Sequence, residues 1–328
     1  MRQLAIRAES WPLQAPFRIA RGIKTQAETI IVEIREGDKM GRAECVPYGH
    51  YGESIETTTA AIEALAPAIE AGLSRDDLQT ALLPGAARNA IDCALWDLSA
   101  KQGEYSIYDK LGMISPSDLY TAFTLSLDTP GRMAAAARAA KKKSLLKIKL
   151  GGKDGLASDI DRLRAIRAVL PKHRLIADAN EAWSFESLAH HIEDLRALNL
   201  ELIEQPLKAG HAPCLHGLNY PFCADESVHE AADIQSLDPG YQWINIKLDK
   251  AGGLTEALTM VTEGRVAGKK IMVGCMVASS LAMAPACVLG QMADIIDLDG
   301  PLLLAEDFKP SLCITGDRIA PVIASLWG

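Results

Sequence analysis

From about residue 119 the chain alternates short apolar runs with helical stretches, eight times over, and few folds accept that pattern. The runs expected to be strands are 121–125, 145–150, 174–179, 200–205, 222–225, 243–248, 270–275 and 294–298. Segments of helical character, such as 133–143, 158–169, 187–198 and 255–267, separate them. Repeated β/α units build parallel sheets, and eight of them point to a closed (β/α)7β-type barrel, with a doubly wound open sheet as the alternative. The first 118 residues read differently. A strand begins at Leu4, a second runs through Thr29–Ile34, and a return strand passes Ala43–Cys45. A helix capped by Ser54 and a second helix over about 86–100 follow. The expected class is α/β, with an α+β cap from residues 1–118 and 306–328 set over a barrel spanning 119–305.

Within the second barrel strand stands Lys147-Ile148-Lys149. Side chains alternate along a strand, so both lysines share one face, and buried ammonium groups require partners. Catalytic groups in such barrels lie at the C-terminal strand ends. Those ends carry Asp178, Glu204 and Asp225 on the third, fourth and fifth strands, Lys247 on the sixth, and Asp297 and Asp299 on the eighth. Each acid alone is compatible with a cap or a solvated turn. Three converging carboxylates cannot all stay ionised without a cation, and oxygen donors suit Mg²⁺, with Mn²⁺ possible. Lys149 and Lys247 would flank whatever such a metal holds, as a base and an acid on opposite faces of one carbon. A base lysine needs a lowered pKa, which the metal and Lys147 would favour.

The bulk properties exclude several classes. A net charge of −8 over 328 residues argues against nucleic acid as a partner. No apolar run approaches a membrane span, and no signal-peptide core is present, so a cytoplasmic enzyme is expected. Seven scattered cysteines without a C-x-x-C pattern suggest buried thiols in a reducing compartment. The seven histidines contain no pair at helical ligand spacing.

The motifs Lys147-Ile148-Lys149, Asp178-Ala179-Asn180, Glu204-Gln205-Pro206, Asp225-Glu226-Ser227 and Asn245-Ile246-Lys247, in that order, resemble the enolase superfamily in its muconate-lactonizing-enzyme subgroup. Ala87–Asp92 and Ala94–Asp97 extend the resemblance into the cap. It implies Lys149 and Lys247 as catalytic bases with Lys147 beside them, Asp178, Glu204 and Asp225 as metal ligands, and Asn180 and Asp249 as supports. Asp297-Leu298-Asp299 resembles the Asp-x-Asp by which dipeptide epimerases bind a substrate's free ammonium. The implied reaction is metal-dependent inversion of the Cα of the C-terminal residue of L-Ala-D/L-Glu through an enediolate, in murein peptide metabolism. The alternatives on the same frame are an o-succinylbenzoate synthase, an N-succinylamino acid racemase or a muconate cycloisomerase. A barrel that binds metal without turnover is a third reading, which the full set of acids and lysines disfavours. Two stretches, 17–22 and 47–52, read as loops that cover the site. Arg21, or alternatively Arg18, would pair with a glutamate side chain. Tyr51, Thr124, Cys275 and Met276 are further expected substrate contacts, with Cys275 packing rather than acting as nucleophile. The resemblance also implies a homo-oligomer.

Overall fold

In the computed structural model, residues 1–103, 106–113, 115–210 and 215–328 are described. The N-terminal part is an antiparallel sheet of β1 (Arg2–Ile19), β2 (Gly22–Glu36) and β3 (Lys39–Cys45), backed by α1 (Ile55–Ala64), α2 (Ala66–Glu70), α3 (Arg75–Ala81) and α4 (Ala86–Lys101). Ser54 caps α1 through a reciprocal pair of bonds with Thr57. Gly41 lets β3 press onto α4, because a Cβ there would fall 2.1 Å from the Ala94 carbonyl oxygen. The stretch 17–22 is not an irregular loop. Arg18 pairs with Ile23 and Ile19 with Gly22, so it is the tip of the β1–β2 hairpin, set off by a register shift between Pro12 and Phe17.

After the short strand β4 (Leu119–Tyr120) come eight parallel strands. They are β5 (Phe123–Leu125), β6 (Leu145–Lys149), β7 (Arg174–Asp178), β8 (Ile203–Glu204), β9 (Phe222–Ala224), β10 (Tyr241–Ile246), β11 (Lys270–Gly274) and β12 (Ile295–Asp297). They neighbour one another in chain order, and Thr121 bridges in parallel to Ile296, with Ala122 N donating to Ile296 O at 2.7 Å. The sheet therefore closes into the expected barrel. The expected 187–198 helix is two short ones, Phe185–His190 and Ile192–Ala197. The 133–143 helix runs instead from Pro130 to Ala139, which leaves the three lysines 141–143 beyond its end.

The floor of the barrel interior is apolar. Each strand, or the residue just before it, contributes one side chain: Ala122, Leu145, Ile176, Leu202, Cys223, Trp243, Met272 and Ile295. Intervening residues such as Leu146, Ile148, Leu175 and Ala177 point outward into the larger core beneath the helices.

Past the barrel, β13 (Ile314–Thr315) and β14 (Arg318–Ile319) form a small sheet with β4. Trp327 then donates its indole N–H to Cys93 O of α4 at 3.1 Å. Three polar side chains of α4 reach across to the segment after β10. Arg88 donates to the carbonyls of Ala251 and Gly252, Asn89 to Asp249, and Asp92 accepts from Thr255. Gly252 and Gly253 carry positive φ there, and a Cβ on either would run into Arg88 or Asp92. Among the described residues no helix is long and apolar enough to cross a membrane. Buried thiols are found at Cys45, Cys93, Cys223 and Cys287, but Cys313 is exposed.

Candidate active site

Two residues beyond the apolar floor, on the same inward face of the strands, the lining turns polar. Lys147 follows Leu145, Asp178 follows Ile176, Glu204 follows Leu202, Asp225 follows Cys223, Asn245 follows Trp243 and Asp297 follows Ile295. All six side chains are buried. A buried charge needs a partner. Lys147 Nζ lies 2.7 Å from both Asp297 and Glu204 and 3.4 Å from Asp178. Lys149 Nζ donates to Asp178 Oδ2 at 2.5 Å, and Lys247 to Asp225 Oδ2 at 2.6 Å. Lys149 and Lys247 come from β6 and the end of β10, strands four places apart in the ring of eight, and both line the same cleft.

Sequence reasoning overlooked one cation. Lys250, one turn beyond Lys247, is fully buried and donates to the backbone and to Oδ1 of Asp225, the latter at 2.6 Å, and to the carbonyls of Val228 and Asn245. Its spacing of three from Lys247 at a helix start was the available signal. Asn245 was passed over as well. Its amide donates to Glu204 Oε1 at 2.8 Å, and Gly274 opposite leaves room for it, since a Cβ there would lie 2.6 Å from its oxygen. Gln205, at φ 34°, is held in a left-handed conformation by its own amide, which accepts from the backbone N–H of Asp225 and Ser227.

The electrostatics follow from this packing. Burial would raise Asp178, but Lys149 and Lys147 outweigh it and bring the carboxyl to about 2. Burial and the charge of Asp178 push Glu204 up to about 8. Burial and Asp297 push Asp299 up to about 7. Burial opposes the charge of Lys247, yet Asp225 and Glu204 prevail and hold its ammonium well above the ordinary range. Burial also lifts the Cys275 thiol, away from a nucleophile's range.

Among the described residues no group of three or more His, Cys, Asp or Glu side chains stands ready to hold a metal ion, because Asp178, Glu204 and Asp225 are each turned onto lysines. The donor chemistry nevertheless suits a hard dication. Asp178, Glu204 and Asp225 are buried oxygen donors from three consecutive strands, and Glu204 Oε2 has only the Lys147 ammonium against it, at 2.7 Å.

The cleft above this layer encloses about 750 Å³ including its mouth. Thr124, Tyr51, Cys275, Met276, Asn180, Asp297 and Asp299 line it. Asn180 N fixes Asp178 Oδ1 at 2.9 Å. Asp299 accepts from Thr124 N at 2.6 Å, and Asp297 Oδ1 has no donor. Asp249 is remote from these oxygens in its bonding. It accepts from Val46 N and Asn89, and so binds the cap to the segment after Lys247. Arg21 lines the cleft but is engaged, at 2.6 Å with Glu226 and 3.1 Å with Glu181. Arg18 turns away to Asp128 at 3.4 Å.

Comparison with known proteins agrees with this construction. Residues 1–112 match the mandelate racemase / muconate lactonizing enzyme N-terminal domain, and residues 132–310 match the enolase C-terminal domain-like family. An L-Ala-D/L-Glu epimerase of Escherichia coli (strain K12) is 43% identical over 319 residues, covering 96% of this chain and 98% of its own. An N-acetyl-D-glutamate racemase of Pseudoalteromonas sp. is 43% identical over 305 residues, covering 91% and 95%. An enolase family member from Agrobacterium tumefaciens with homology to dipeptide epimerases, solved with sodium and L-Ala-L-Glu, superposes with a TM-score of 0.95 at 47% identity, both chains fully covered. A dipeptide epimerase from Enterococcus faecalis, solved with Mg and L-Leu-L-Tyr, gives 0.89 at 30% identity over 98% of this chain and 96% of its own. Matched over both its cap and its barrel, the chain belongs to the enolase superfamily, in the mandelate racemase / muconate lactonizing enzyme group, and is an isomerase of the epimerase kind.

Proposed function

We propose that this protein epimerises L-Ala-D/L-Glu, inverting the Cα of the C-terminal residue by a two-base 1,1-proton transfer. The observation that carries the reading is the pair of lysines, Lys149 and Lys247, entering one cleft from opposite sides of the barrel. With a substrate Cα between them, one lysine in its neutral form takes the α-proton. The other, as ammonium, delivers a proton to the opposite face, so the centre inverts and the two lysines exchange roles for the reverse direction. Asp178 and Asp225, now bonded to those lysines, would turn with Glu204 to hold Mg²⁺. When bound, that dication would supply Lewis-acid stabilisation to the substrate carboxylate as the α-proton leaves. Lys147, between Glu204 and Asp297, adds a fixed positive charge beside the same carboxylate.

The substrate's free ammonium would go to Asp297 and Asp299, where Asp297 Oδ1 is an unused acceptor. A succinylated or muconate-like dianion meets two repelling carboxylates at that point. A second reading has support of its own: the equally similar relative is a racemase of N-acetyl-D-glutamate, which has no free amine. We draw the cap as residues 1–118 with 306–328 and the barrel as 119–305, and infer a role in murein peptide turnover from the similarity to L-Ala-D/L-Glu epimerases. The deciding experiment is incubation with Mg²⁺ in D₂O and mass spectrometry. One deuterium entering L-Ala-L-Glu, with little in N-acetyl-L-glutamate, is the expected result. Labelling of N-acetyl-glutamate alone would overturn it, as would no labelling of either.

A further inference from the structure

The two lysines that enter the cleft from opposite sides are fastened to different parts of the molecule. Lys247 follows β10, and its carbonyl accepts from Lys250 N and Ala251 N at 3.1 and 2.9 Å, so one tight turn carries it. That turn is held from the cap. Asp249, two residues on, accepts from Asn89 Nδ2 of α4 at 2.8 Å and from Val46 N at 2.9 Å, both on the same oxygen. Arg88, the preceding residue of α4, is buried and donates to backbone carbonyls, with Ala251 O at 2.7 Å and Gly252 O at 3.2 Å among them. Asp92, one turn further along α4, closes the row by accepting from the N–H and the hydroxyl of Thr255 at 2.9 and 2.6 Å.

Lys149 has a matching support inside the barrel. Gly151, again two residues on, donates its N–H to Asp159 Oδ2 at 2.9 Å. Asp159 stands on the helix Gly155–Val169. It takes the indole N–H of Trp183 on that oxygen and Arg162 on the other, both at 2.9 Å. Leu150 N reaches Asp178 O at 2.8 Å. All of these partners belong to the barrel. A misplacement of about 1 Å can cost a reaction on the order of a hundredfold, so what anchors each lysine matters to the half of the reaction it performs.

We infer that α4 of the cap, through Arg88, Asn89 and Asp249, positions Lys247 alone, and that Asp159 is the positioning residue for Lys149. On the two-base reading above, each half of the proton transfer then depends on a different domain.

Inversion cannot separate the two supports, because the equilibrium constant between the epimers ties the forward and reverse kcat/KM together. Exchange with retention can. One lysine takes the α-proton of one epimer, breaking C–H and forming N–H, and the same ammonium returns a deuteron to the same face. Lys149→Met and Lys247→Met first identify which of L-Ala-L-Glu and L-Ala-D-Glu each remaining lysine serves. Retentive exchange of the two epimers is then compared in D₂O with Mg²⁺ for Arg88→Met, Asp249→Ala, Asp249→Asn and Asp159→Ala. The folded fraction cancels from a ratio taken on one preparation. Arg88→Met and Asp249→Ala should each lower exchange through Lys247 about 10- to 100-fold relative to exchange through Lys149. Asp159→Ala should move the ratio the other way. Asp249→Asn should restore the wild-type ratio, since the neutral donors of Val46 and Asn89 need only an oxygen. Without added metal, the amides of 250–252 should lose hydrogen-exchange protection in Asp249→Ala and Arg88→Met but not in Asp159→Ala. An unchanged ratio in Arg88→Met or Asp249→Ala, or an equal loss through both lysines, overturns the assignment. Should the wild type exchange no dipeptide, the enantiomers of N-acetylglutamate take the epimers' place. If Lys149→Met and Lys247→Met each abolish exchange in both epimers, the two-base reading fails. The anchoring of Lys247 by α4 is then decided by amide protection, and unaltered protection in Asp249→Ala refutes it.

Discussion

The floor of the barrel and the layer above it are built from the same eight strands, about 7 Å apart, yet they follow opposite rules. In the floor, Leu145, Ile176, Leu202, Trp243 and Met272 interdigitate and need no partner beyond one another. One step up, Lys147, Asp178, Glu204, Asp225 and Asp297 are equally buried, but each is tolerable only because another charge faces it. The floor stabilises the fold and keeps water from beneath the site. The layer above works against stability, and the dryness beneath it strengthens the interactions among its charges. On five of the strands an apolar and a charged layer are thus separated by two residues.

That separation makes the layers experimentally distinguishable. The largest effect belongs to the lysines. Lys149→Met and Lys247→Met should each reduce epimerisation by about a thousandfold or more, while the lysine left in place still exchanges the α-proton of one epimer in D₂O. Loss of exchange from both epimers in both variants would break the two-base scheme. Next comes the floor. Trp243→Ala should lower the unfolding free energy by about 3–5 kcal/mol in urea titrations, with kcat per folded molecule changing little. A large loss of kcat in the folded fraction would mean that the layers are coupled rather than stacked.

The smallest effect is a pH dependence. The folded pKa of Asp299, about 7, lies above its ordinary value of 3.8, so its contribution to stability is complete below pH 4 and is lost as pH rises toward 7. In chelator-treated protein, the stability of the wild type relative to Asp299→Asn should therefore fall between pH 4 and 7, by about 3 kcal/mol. A floor substitution should show no such slope. A flat difference for Asp299→Asn would place that carboxylate in a far more solvated setting than its burial indicates.

Much of the site was legible because it obeys the period of a strand. Lys147 and Lys149, and the acids at 178, 204, 225 and 297, sit at strand ends in chain order, and a parallel barrel turns that order into a ring. What stayed hidden depends on which elements meet in space. Lys250 reads as a solvated helix residue until β9 brings Asp225 against it. Arg21 reads as a free cation until Glu181 and Glu226 arrive from barrel loops more than a hundred residues away. The hairpin tip resembles a loop in composition, and only cross-strand pairing makes it strand. The resemblance made Asp249 a support of the site, and its bonds go to Val46 and Asn89 of the cap.

The two-residue alternation between floor and charged layer also bears on how the barrel is assembled. A strand displaced by one residue would exchange its inward and outward faces. Lys147 or Asp178 would then be driven into the greasy shell beneath the helices, far from any opposite charge, while Ile148 or Ala177 turned inward among the remaining ions. Parallel strands flanked by Val, Ile and Leu on both faces have little else to tell one register from its neighbour. The buried charges thus double as alignment marks: a barrel mispaired by one residue would strand each of them away from its partner.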